Sequence, residues 1–211
     1  MAKAASHLLL ALLLGGTLAG CAGQHDRVVL TGQEPWRDGD LVLRCGFGAE
    51  SRAVTQASHS AYSHVGILLR DEADGRWLVI HAVPGEAERG ELEQLKCEPV
   101  EQYFAPDRAE RGAWVRVRCP DSVAASAARY AMGKAQARVE FDNDYQLSDT
   151  TSLYCTELVW QAYLHQGIDL SDGQRHDVPL MVSGDGECIF PSDIEESEQV
   201  LYVKPLKTKQ Q

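Results

Sequence analysis

What the chain lacks narrows its function first. Positive charge is scarce: 20 Lys plus Arg stand against 31 Asp plus Glu, a formal net charge of −11. That balance excludes a nucleic-acid partner, whose phosphates are met by a basic surface, and fits a solvated acidic exterior. No apolar run approaches the ~20 residues that a membrane-spanning helix needs. Neither Cys-x-x-Cys nor His-Glu-x-x-His occurs, so these zinc-site spacings are missing. The acidic stretch with Asp142, Asp144 and Asp149 lacks the glycine and the bidentate Glu of an EF-hand loop. No metal or cofactor is expected, and no internal repeat divides the chain.

What is present begins with Lys3, a short apolar run from Leu8 to Leu14, and Leu18-Ala19-Gly20 before Cys21, which read as a signal peptide over residues 1–20. Leu18-Ala19-Gly20-Cys21 resembles the bacterial lipoprotein lipobox. The resemblance implies a diacylglyceryl group on Cys21, and each buried CH2 of its chains contributes about 0.8 kcal/mol to membrane anchoring. Ala22 in place of Asp implies the outer membrane of a double-membraned bacterium, facing the periplasm. Removing residues 1–20 takes away only Lys3, so 19 basic against 31 acidic residues leaves −12. Residues 21–35 are then the lipidated Cys21 and a polar tether, 36–205 one domain with an ample core, and 206–211 a polar tail.

Six cysteines are present. With Cys21 lipidated, Cys45, Cys97, Cys119 and Cys188 are expected to form two disulfides in one of three connectivities, leaving Cys155 as the free thiol.

Short β-branched runs at 40–44, 64–69, 77–83, 114–118 and 200–203 read as strands, and Asp74-Gly75 marks a hairpin between the second and third. Residues 122–137 are Ala-rich and read as a helix with Asp121 as N-cap. A second helix starts near Cys155 and stops at Gly167. The expected fold is α+β, a small antiparallel sheet or barrel packed by helices.

Cys155 stands in Leu153-Tyr154-Cys155-Thr156-Glu157-Leu158-Val159-Trp160, where loop turns into helix. Unpaired N–H groups and the macrodipole at such a start favour thiolate, lowering a thiol pKa from about 8.5 to roughly 3.5–7.5. Alone, a buried cysteine is more often structural. A base is available, because His64 opens one strand of the hairpin and His81 ends the other. At the open ends of paired strands the two rings come within reach of each other. His64 is then the base, or half of an imidazolium–thiolate pair, and His81 fixes its tautomer. Glu157, two residues past the thiol, reads first as a charge suited to the helix start and second as a contact for a substrate amine.

Gly39-Asp40-Leu41-Val42, Ser63-His64-Val65-Gly66-Ile67, Val79-Ile80-His81-Ala82 and Tyr154 to Trp160 together resemble the circularly permuted papain-like cysteine hydrolases, nearest the YiiX/YebB-like (YaeF-like) branch. That branch is similar to the NlpC-type cell-wall peptidases with the order reversed, His strands before Cys helix. The resemblance implies Cys155 as nucleophile, His64 as base and His81 as orienting residue. It also implies an oxyanion hole using the Cys155 N–H, with Tyr62 or Tyr154 as an assisting neighbour.

The first functional reading is a cell-envelope cysteine peptidase or amidase acting on peptidoglycan stem peptides or related amides. The second is a lipid acyltransferase or lipid hydrolase of the lecithin:retinol acyltransferase-like type, whose motif order is similar. The third is a non-catalytic binding lipoprotein of the envelope.

Overall fold

The short β-branched runs form an antiparallel sheet whose side chains alternate between two covered faces. A computed structural model describes residues 26–85, 92–148, 151–177 and 186–210. The signal peptide, Cys21, Asp149 and the middle of the 171–190 loop lie outside the described residues. In chain order the elements are β1 (Asp26–Val29), β2 (Leu41–Cys45), α1 (Ala49–Ser58), β3 (His64–Arg70), β4 (Trp77–His81) and β5 (Lys96–Pro99). Then come α2 (Val100–Tyr103), β6 (Arg111–Val117), α3 (Asp121–Gln136), β7 (Glu140–Phe141), β8 (Ser152–Leu153) and α4 (Cys155–Leu164). The chain closes with β9 (His176–Asp177), β10 (Glu187–Cys188), α5 (Pro191–Glu196), β11 (Val200–Pro205) and β12 (Lys207–Gln210).

Six strands pair antiparallel in the order β11-β6-β2-β3-β4-β5, so the fold is α+β as expected. On one face Leu41, Leu43, Val65, Ile67 and Ile80 meet the buried sides of α3 and α4. The alanines 124, 127, 128 and 131 let α3 approach closely. On the other face Val42, Leu68 and Val79 pack beneath Val100, Tyr103 and Phe104 of the α2 segment. Burial of both faces explains why the strands read as continuous apolar runs rather than alternating ones.

Gly39 ties these layers together. Its φ is +86° and a Cβ there would lie 2.3 Å from the Ala124 carbonyl oxygen. Its N–H donates to Leu68 O at 2.8 Å, and its carbonyl accepts the Tyr163 hydroxyl of α4 at 2.6 Å. The next residue, Asp40, is buried and accepts from Trp114 Nε1 at 2.9 Å and Arg116 Nη2 at 2.7 Å. Gly39-Asp40 thus holds strand, helix and sheet edge in one arrangement.

Three expectations are corrected. Residues 26–29 of the supposed tether and 207–210 of the supposed tail pair as β1 and β12, Asp26 opposite Gln210. Pro120, not Asp121, is the N-cap of α3, and the Asp121 carboxylate instead accepts from Arg37. The five described cysteines are all free thiols. Cys45 on β2 and Cys97 on β5 have two strands between them, about 14 Å at the usual strand spacing, twice the Cα separation a disulfide bridges.

Gly39→Ala is expected to lower stability by about 2–4 kcal/mol, combining overpacking against backbone with a left-handed φ. Urea unfolding of the two proteins measures it, and an unchanged midpoint would contradict the packing described.

Candidate active site

The site grows from the register of β3 and β4. His81 lies opposite Gly66, two residues beyond His64 on the same face of β3. A Cβ on Gly66 would meet Val79 Cγ1 at 2.4 Å and His81 Cβ at 3.2 Å, so glycine leaves the gap into which His81 fits. His64 Nε2 and His81 Nδ1 are 2.9 Å apart. The rings are 7% and 0% exposed, and both pack against the Tyr103 ring at 5.8 and 5.0 Å. Tyr103 seals the pair from solvent and donates its own hydroxyl to Val42 O at 3.1 Å.

Two further charged residues complete this face, and sequence reasoning missed both. Glu98 on β5 stands opposite Val79, and its Oε1 is 3.1 Å from His81 Nε2. Arg108 Nη1 donates to Glu98 Oε2 at 2.9 Å. Lys96-Cys97-Glu98-Pro99 is too short and too polar to announce a strand, so no pattern singled out Glu98 beforehand. Burial pushes the Glu98 carboxyl up, but bonds from His81 and the charges of His81 and Arg108 outweigh it and hold it below its ordinary value.

Cys155 begins α4 after Tyr154, the N-cap. The thiol and His64 line one cavity of about 510 Å³, together with Arg44, Ser63, Tyr154 and Cys188. Helix α1 walls it through Glu50, Val54 and Ala57, and Glu50 Oε1 accepts the Tyr145 hydroxyl across it at 2.6 Å. The Ala-, Ser- and Gln-bearing sequence of α1 gives it little apolar signature, and it was not foreseen.

Electrostatics reverse one expectation. Burial raises the Cys155 thiol above its ordinary value, only partly offset by hydrogen bonds with the Thr156 side chain and the backbone at Val65 and Thr156. Burial also drives His64 well below 6.5, helped by the charges of Arg44, which faces it across β2, and His81. The helix start therefore does not dominate. Both shifts run toward the uncharged forms of the thiol and the imidazole.

The other candidates separate. Tyr154 lines the cavity, but its hydroxyl accepts the Ile189 N–H at 2.8 Å. Tyr62 is buried yet is not part of the cavity wall. Glu157 is fully buried, accepts from Gln161 Nε2 at 3.0 Å and does not line the cavity. The carboxylate whose charge raises the Cys155 pKa is Glu50.

A thiol on a helix start and a buried imidazole at the start of a central strand line one cavity, the arrangement expected of a papain-type site. The chain belongs to the permuted papain-like amidase enzymes of the YaeF/YiiX, C92 family, whose model matches residues 36–183. It is 29% identical over 126 residues to the uncharacterized protein YiiX of Escherichia coli K12. That alignment covers 59% of this chain and 56% of the relative's length. A crystal structure of a protein described as metalloprotein YiiX, from Escherichia coli O157:H7, superimposes with a TM-score of 0.63 at 18% identity, covering 82% of this chain and 97% of that one. The likeness is one of fold. Among the described residues no three His, Cys, Asp or Glu gather into a group that could hold a metal ion.

Because burial holds the Cys155 thiol above its ordinary pKa, alkylation of Cys155 by iodoacetamide is expected to climb steadily as pH rises through the alkaline range. Peptide mapping at Cys155 follows it. A plateau between about pH 5 and 8, the signature of an ion pair, would contradict a neutral thiol.

Proposed function

We propose that Cys155 is the nucleophile of an amidase, His64 its base and His81 the residue that orients His64. The observation that carries this reading is the one cavity that both the thiol and the buried, hydrogen-bonded imidazole line. His64 takes the Sγ proton as sulfur attacks the amide carbonyl carbon. The negative oxygen of the tetrahedral intermediate is met by the Cys155 N–H at the start of α4. His64 then gives the proton to the leaving nitrogen, the C–N bond breaks, and a thioester remains. A water deprotonated by His64 attacks that thioester and releases the acid and the thiol.

The substrate class is an amide of the cell envelope, with peptidoglycan stem peptides as the leading case. Two features support it. The lipobox-like Leu18 to Cys21 would anchor the enzyme to the outer membrane of a double-membraned bacterium, facing the periplasm. Arg44, Glu50, Gln56 and Asp107 on the cavity wall offer polar partners for a peptide. A second reading rests on the same wall: Phe47, Val54, Val83, Phe141, Ile189 and Phe190 suit an acyl chain, as in a lipid acyltransferase or lipid hydrolase.

Full-length protein, its Cys155→Ala variant and its His64→Ala variant are incubated with peptidoglycan fragments and, separately, with phospholipid esters. Amide-cleavage products are expected from the unsubstituted protein, none from Cys155→Ala, and about 10²- to 10⁴-fold less from His64→Ala. Products from lipid alone would select the second reading. Equal products from Cys155→Ala would refute both.

A further inference from the structure

We infer that Glu98 is a positioning residue that sets the tautomers of both histidines, making the site a four-residue relay from Cys155 through His64 and His81 to a carboxylate clamped by Arg108. The inference rests on the proposed roles of Cys155 and His64 and extends them to residues outside the family-like motifs.

The argument is one of hydrogen-bond direction. Glu98 is 6% exposed, and Arg108 Nη1 reaches its two oxygens at 3.2 and 2.9 Å. An ionised carboxylate only accepts hydrogen bonds. His81 Nε2, 3.1 Å away, must therefore carry the hydrogen. In a neutral His81 the hydrogen on Nε2 leaves Nδ1 as an acceptor, and the partner 2.9 Å from Nδ1 is His64 Nε2. His64 Nε2 is then the donor, which leaves the lone pair of neutral His64 on Nδ1. That lone pair is the base the reaction requires. When Nδ1 takes the Cys155 proton, the new imidazolium charge is met by His81 Nδ1, whose ring is in turn polarised by Glu98. Three side chains on one face of β3, β4 and β5, each reaching diagonally to the next strand, form the path. Reversing the last bond reverses every bond before it.

Glu98→Gln performs that reversal. The Arg108 cation retains the single amide oxygen, the amide NH2 turns toward His81 Nε2, and the hydrogens shift to His81 Nδ1 and His64 Nδ1. Full-length protein labelled with 15N-histidine reports the tautomers by NMR, and iodoacetamide alkylation at neutral pH reports Cys155. The expected result is hydrogen on Nε2 of both rings in the unsubstituted protein, hydrogen on Nδ1 of both in Glu98→Gln, and Cys155 alkylation about 10²-fold slower in the variant. Glu98→Asp, which keeps an acceptor-only carboxylate, is expected to retain the original tautomers. Hydrogen on His64 Nδ1 in the unsubstituted protein overturns the inference even where Glu98→Gln fails to fold. So does a folded Glu98→Gln with unchanged tautomers and alkylation rate. An inert Cys155 in the unsubstituted protein instead counts against the nucleophile assignment, leaving the tautomer result to judge Glu98.

Discussion

The hydrogen bond between His64 Nε2 and His81 Nδ1 joins two rings on neighbouring strands, and burying it imposes demands on residues well away from it. The rings share a face only because the strands meet in the register that sets His81 opposite Gly66, and they fit only because position 66 lacks a Cβ. A one-residue slip would send His81 to the other face of the sheet. Tyr103 covers the pair, Glu98 completes it, and Arg108 neutralises Glu98. Buried polar groups are tolerable when every member has a partner, and here each bond completes the next.

The same burial decides how the thiol is activated. A helix start favours thiolate, but the apolar cavity and the Glu50 charge act against it, and desolvation weighs most. Arg44 and desolvation likewise oppose an imidazolium on His64. In the proposed mechanism proton transfer and attack are therefore parts of one event, and the surrounding dipoles act on charge as it develops.

Much of this arrangement was legible in the sequence where local signals and tertiary packing agree. The β-branched runs, the Asp74-Gly75 turn and the loop-to-helix change at Cys155 located β2, β3, β4, α3 and α4, and hence the meeting of His64 with His81. Helix α1 escaped because Ala, Ser and Gln carry little amphipathic contrast, although one side of it walls the cavity. Glu98 escaped because a four-residue strand with a terminal proline has no periodicity to read. Glu157 looked available beside the thiol in sequence, yet the helix turns it away from the cavity wall and toward Gln161. The cysteines suggested disulfides by number alone, whereas the strand order keeps Cys45 and Cys97 apart. Paired termini were unreadable because β1 and β12 are four-residue strands at opposite ends of the sequence, too short to carry a periodicity.

The central claim is that Cys155, relieved of its proton by His64, carries the acyl group through a thioester. The direct measurement is to mix full-length protein with an amide substrate drawn from envelope extract, quench in acid within the first turnover, and map the acylated peptide by mass spectrometry. The account predicts an acyl adduct on Cys155 that disappears as free acid forms. An adduct on Cys188, which lines the same cavity with its thiol pushed up to about 12, or turnover with no adduct in Cys155→Ala, would contradict it.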